Sequence, residues 1–98
     1  MDLIERERYI SLYEVYQKLL TEKQQKYFTE YYLYDFSLSE IAANEHVSRN
    51  AIFDQVKKTT ILLDFYEEKL ELYSKKEKLL SLMDEMPEAL KKKINEII

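Results

Sequence analysis

The sequence contains no glycine at all. Tight hairpins, left-handed helix ends and phosphate-cradling loops are ordinarily built on glycine, because a Cβ penalises positive φ. Proline, the other residue that interrupts helices, occurs once, at Pro87. A chain with so few breakers is an all-α chain. Wherever one of its helices must end in a left-handed residue, a side-chain-bearing residue has to take that conformation: Asn44, His46 or another non-glycine residue.

Asn44 and His46 lie inside residues 37–58, SLSEIAANEHVSRNAIFDQVKK. Ser37 followed by Glu40 is a capping box, which starts a helix. Ile41 and Ala42 fall on its inner face, and the small Ala42 permits a second helix to approach closely. The turn falls at residues 44–47. Ser48 caps the next helix, in which Ile52 and Val56 return to the core one turn apart. Ser48, Arg49, Asn50, Phe53, Asp54, Lys57 and Lys58 then occupy the cap and outward positions, the arrangement of a recognition helix in a helix-turn-helix. Two short capped helices also occur in domains that bind nothing, so the surface residues carry the functional reading.

The flanking sequence predicts further helices. Tyr9, Leu12, Tyr13, Tyr16, Leu19 and Leu20 recur at helical spacing over residues 4–20 and read as a core stripe. Thr21 with Gln24 makes a second capping box for a helix over residues 22–33, with Phe28, Tyr31 and Tyr32 inward. The ring-rich run YYLYDF can stack on bases, but core packing with wet hydroxyls is the stronger reading. After Ser48, Ile52, Val56, Thr59, Leu63, Tyr66, Leu70 and Tyr73 form a heptad seam. No breaker stands between Arg49 and Lys78, so the pattern predicts one helix of about 45 Å. Leu62, Phe65 and Leu72 add a second apolar strip. So small a domain cannot cover such a helix, and a homodimer through this fourth helix is predicted; the alternative is a break near Ser74 with the chain folding back on itself. Pro87 opens a last helix over residues 88–98 with Leu90, Ile94, Ile97 and Ile98 on one side, and Lys91, Lys92 and Lys93 read as a solvated face. Residues 1–73 form the helix-turn-helix domain and residues 74–98 a C-terminal helical extension.

Composition narrows the chemistry. Without cysteine there are no disulfides or thiolate metal sites. The single histidine has no metal-ligating company, and neither a metal nor a cofactor is implied. Adjacent acids such as Glu67 and Glu68, or Asp84 and Glu85, point different ways on a helix and read as solvated faces, so an enzyme is not expected. No signal peptide or membrane-length apolar run is present, which predicts a cytoplasmic protein with no membrane insertion. The net charge is −4, against strong non-specific nucleic-acid binding. The imbalance sits in residues 1–46, with nine acids against five bases, while residues 47–98 hold ten of each. Within residues 47–58, Arg49, Lys57 and Lys58 outnumber Asp54. That modest patch favours weak contact or binding by two subunits.

The run LTEKQQKYFTEYYLYDFSLSEIAANEHVSRNAIFDQVKK, with the following ILLDFYEEKLELY, resembles the YlxM family of small bacterial proteins over roughly residues 5–75. It is similar, more distantly, to the promoter-reading region 4 of sigma factors. The resemblance implies a sigma-region-4-like helix-turn-helix with Ser48, Arg49, Asn50, Phe53, Asp54 and Lys57 where contacts are made. It also implies an association with the signal recognition particle, beside whose genes the family is encoded. Glu45, where an apolar residue is usual, and His46, where Gly or Asn is usual, depart from the family pattern at the turn.

Two functions follow as expectations. One is a regulatory nucleic-acid-binding protein, with DNA favoured over RNA, in which Asn50 reads a base edge and Phe53 meets a thymine methyl. The other is a protein-interaction accessory factor of the signal recognition particle, acting on its GTPase or its RNA complex, with no direct DNA role. A-form RNA does not admit a recognition helix, so contacts there would fall on backbone or loops.

Overall fold

The computed structural model describes residues 2–98, and all regular structure among them is helical. Helix α1 (Leu3–Tyr16) is capped by Asp2, whose carboxylate accepts the Glu5 N–H at 3.1 Å. It ends earlier than its apolar spacing predicts. A 3₁₀ turn, Gln17–Leu19, tightens the chain, exposes Leu19 and still buries Leu20. Helix α2 (Glu22–Phe28) opens on the Thr21–Gln24 capping box, with both reciprocal hydrogen bonds made. Its last turn widens into a π-helical segment, Thr29–Leu33. Tyr32 and Phe28 stack there at 4.4 Å, Phe28 stacks on Tyr13 at the same distance, and Tyr31 meets Tyr32 edge-on. Of the aromatic run only Tyr32 is core, as is Tyr27 before it; Tyr31 stays half-buried, and Tyr34 and Phe36 are exposed, so the core reading of the run holds for one ring.

Helix α3 (Leu38–Glu45) is held by the Ser37–Glu40 capping box. His46 takes the left-handed conformation at φ 57°. Its N–H bonds back to Ala43 O, and the Val47 N–H to Ala42 O at 3.1 Å, which is the Schellman closure ordinarily made at glycine. Glu45 does not displace the turn. It reaches across to Lys26 on α2 and fastens the end of α3 to that helix.

Helix α4 (Arg49–Leu70) is the axis of the molecule and packs on α1, α2 and α3. Ile52, Val56, Thr59 and Leu63 are buried along it, and the Thr59 hydroxyl donates to Gln55 O at 2.9 Å, so it enters the core satisfied. The predicted single helix to Lys78 is corrected here. At 22 residues, α4 runs about 33 Å and stops where Glu71 turns left-handed at φ 53°. Helix α5 (Leu72–Met83) starts at once in a new direction and packs on α1.

The break has a tertiary cause. Glu67 Oε1 accepts the Tyr73 N–H at 3.0 Å and Oε2 accepts the Ser74 N–H at 3.1 Å, so one carboxylate caps the start of α5. The Tyr16 hydroxyl donates to Glu67 at 2.6 Å and accepts the Leu72 N–H at 3.0 Å. Glu67, read from sequence as part of a solvated acidic face, is therefore a half-buried helix cap. The heptad seam is likewise spent mostly inside the chain: Tyr66 and Tyr73 pack on the core, and only Leu70 is left exposed. Helix α6 (Glu88–Ile97) follows Pro87 and buries no side chain. The molecule measures 52 × 25 × 25 Å.

Candidate nucleic-acid interface

The first turn of α4 is built to be presented. The Ser48 hydroxyl accepts the Ala51 N–H at 3.1 Å, which leaves the Arg49 and Asn50 N–H groups at the positive end of the helix. Burial of Ile52 and Val56 fixes the rotation of α4, so Ser48, Arg49, Asn50, Phe53, Asp54, Lys57 and Lys58 are all exposed. Phe53 leaves 46% of its surface to solvent, and Lys57 lies over its ring at 5.9 Å. Neither Arg49 nor Lys57 nor Lys58 is in an ion pair among the described residues.

These residues do not form one patch. Arg49, Asn50, Phe53 and Lys57 line a groove of about 490 Å³ whose far wall comes from Glu5 on α1 and from Tyr31 and Tyr32 in the π turn. Asp54 and Lys58 face a second, smaller groove, shared with Lys23 and Tyr27 of α2. Lys23 lies over the Tyr27 ring at 5.9 Å, a second cation that sequence reasoning did not place beside Lys58.

The wall opposite α4 is fixed by α1. Arg6 Nε and Nη2 both donate to Tyr32 O, and Nη1 meets Asp35 at 3.0 Å. Asp35 is the third left-handed residue, at φ 60°. One turn along, Arg8 and the Tyr9 hydroxyl share Asp64 of α4 at 3.0 and 2.7 Å. Burial and the bond to Asp64 push the Tyr9 hydroxyl up to about 12. Burial, then the neighbouring Tyr31, also raises Tyr32 far above the ordinary tyrosine value. Both remain neutral hydrogen-bonding groups at any physiological pH.

Helices α3 and α4 with the turn at His46 form a helix-turn-helix whose second helix carries the exposed cations. Residues 3–98 match the family model for helix-turn-helix proteins described as YlxM / p13 like, UPF0122. The chain belongs to that family. A UPF0122 protein of Halalkalibacterium halodurans is 51% identical over 81 residues, covering 83% of this chain and 74% of that protein. One from Staphylococcus carnosus is 44% identical over 102 residues, covering 98% and 93%. The Bacillus licheniformis member is 49% identical over 85 residues, with 80% and 79% covered. The match extends through α5 and α6, past the residues that carried the resemblance in sequence, so the C-terminal helices belong to the UPF0122 pattern.

No group of three or more His, Cys, Asp or Glu side chains that could hold a metal occurs among the described residues. No helix there is long and apolar enough to cross a membrane. Sequence reasoning missed Glu5, Tyr31 and Tyr32 as neighbours of the recognition helix. The ring-rich pattern points Tyr31 and Tyr32 to the core, and for Glu5 there is no local signal.

Proposed function

We propose that this UPF0122 protein is a DNA-binding regulatory protein of the cytoplasm, with the N-terminal half of α4 entering the major groove. One observation carries the reading: unpaired Arg49 and Lys57 share a solvent-facing ridge with Asn50 and Phe53 at the positive end of a 22-residue helix. Phosphates meet Arg49 and the free N–H groups, Asn50 reads a base edge, and Phe53 touches a thymine methyl. Lys58 adds a backbone contact on the other side, and Asp54 admits cytosine and repels misplaced phosphate. The test is fluorescence anisotropy on mixed-sequence duplexes at low salt. Arg49→Ala and Lys57→Ala each weaken binding and lower the salt slope by about 1. Absence of binding at 20–50 mM salt would remove the proposal.

A net charge of −4 makes a single domain a weak binder, and two copies relieve that weakness. We propose that a second chain covers the strip left open along α4 and α5, where Phe65 is 50% and Leu72 45% exposed, with Ile61 beside them. Light scattering at micromolar concentration returns twice the 11.9 kDa chain mass if so. In such a dimer the two recognition helices set half-sites apart by a multiple of about 34 Å. The competing reading gives the same strip to a protein of the signal recognition particle; a monomer that is retained by purified particle components, and not by DNA, would favour it.

A further inference from the structure

A recognition helix needs only a convex ridge to enter a DNA groove, yet this one forms a wall of a concave site. The space between α4, the π turn and α1 is about 490 Å³, inside the range of about 300–1,000 Å³ that small-ligand sites occupy. Its walls are chemically divided. Arg49 and Lys57 bring two cations with no carboxylate paired to either, and Glu5 brings a carboxylate with no base paired to it. Phe53 and Tyr31 supply ring surface between them. Tyr32 is only 3% exposed and lines the groove.

A complementary ligand has an anionic end, a flat ring and a polar edge rich in N–H donors. We propose that the groove binds one unstacked guanine nucleotide. The phosphate lies against Arg49 and Lys57, the base stacks on Phe53, and Glu5 with the Tyr32 hydroxyl reads the base edge. A carboxylate has two acceptor oxygens and no donor. Guanine is the base that offers two adjacent donors, N1–H and N2–H₂, on one edge. Unstacked bases are commonly held this way, between an aromatic surface and hydrogen bonds to the Watson–Crick edge. The inference shares α4's ligand face with the DNA-binding reading but does not require a duplex. Because Arg49, Asn50, Phe53 and Lys57 serve both ligands, an occupied groove and a docked duplex exclude each other.

The test is an NMR amide-shift titration of the full chain with GMP, with UMP, and with the RNA hexamer AAGAAA, beside duplex anisotropy on the same samples. Saturable shifts at Glu5, Tyr31, Tyr32 and Phe53 are expected, with GMP ahead of UMP by about tenfold, the effect of hydrogen bonds to a charged acceptor. Glu5→Gln, an exposed position, abolishes that preference by weakening GMP; Tyr32→Phe weakens GMP with its fold intact. Saturation by the hexamer but not by free GMP supports the site with a strand as the nucleotide's source. No saturation by any of the three up to about 5 mM, or equal GMP and UMP binding untouched by Glu5→Gln, overturns it. Duplex binding without nucleotide binding sinks this inference alone, and nucleotide binding without duplex binding sinks the DNA reading alone.

Discussion

Replacing Tyr16 by Phe removes one oxygen from the most connected point of the fold. That hydroxyl donates to Glu67 at 2.6 Å and accepts the Leu72 N–H at 3.0 Å, while the ring beneath it is 1% exposed. The ring stays, so the packing of α1 on α4 is kept and no cavity larger than an oxygen opens. What is lost is the partner of the first N–H of α5 and one of the three donors held by Glu67. Leaving a part-buried N–H unmet costs about 1–3 kcal/mol. In a domain of this size each kcal/mol lowers Tm by about 4–8 °C. Calorimetry reads the loss, and amide exchange locates it: Leu72, Tyr73 and Ser74 exchange faster while the amides of α2 do so only as far as global stability falls. Tyr13→Phe is the control, because the Tyr13 hydroxyl meets only Thr29 Oγ1 at 3.2 Å and starts no helix. Equal losses in the two variants, with α5 exchange unchanged in both, would refute the view that side chains from α1 and α4 create the helix break.

Two further predictions concern the backbone and the tyrosines. His46→Gly relieves a Cβ held at φ 57° and stabilises by about 1 kcal/mol despite the looser unfolded chain; urea midpoints check it, and a destabilised variant would mean the imidazole makes an unrecognised contact. Tyr9 and Tyr16 are both raised above 10, chiefly by burial and then by their carboxylate partners Asp64 and Glu67. A raised tyrosine keeps its proton in the fold after the unfolded chain has lost it. Its stabilisation is therefore complete below about pH 10 and is lost as pH climbs, for Tyr9 up to about 12, at about 1.4 kcal/mol per pH unit for each such group. Tm should fall steeply above pH 10, and Tyr9→Phe should flatten the fall; a Tm that holds level between pH 10 and 11 contradicts it.

What sequence revealed was whatever is decided within a few residues. The Thr21–Gln24 and Ser37–Glu40 boxes name helix starts because donor and acceptor sit three positions apart, and both form. His46 took the left-handed turn because the chain has no glycine to put there. The end of α4 was hidden for the opposite reason. Nothing in KLELYS is a breaker; Glu71 turns left-handed where Glu67 and a tyrosine from α1 together satisfy the next helix's N–H groups. The heptad seam marked which side of α4 is covered, but period carries no information about whether the cover is α1 or another chain. The same limit applies at the interface. The exposed ridge of α4 is a matter of helical phase and was legible, whereas the groove beside it depends on Glu5 arriving from the far end of the sequence.

Helix α1 makes one set of side-chain contacts near its start and another near its end, and the two are separable. Near its start, Arg6 grips Tyr32 O, while Arg8 and Tyr9 grip Asp64, which positions Glu5 across from Arg49 and Lys57. Near its end, Tyr16 completes the cap of α5. Leu12 and Tyr13 lie between them, buried against the same core, so the helix is pinned at its middle whichever end is disturbed. Side chains in different contact networks usually contribute additively to stability. Tyr16→Phe should therefore loosen α5 without moving the face that meets a ligand, and Arg6→Ala should do the reverse, withdrawing the wall that carries Glu5 while leaving α5 closed. Combined, the two losses should sum to within about 0.5 kcal/mol; a large excess would mean that α1 shifts as one rigid rod and that the interface feels the state of the C-terminal helices.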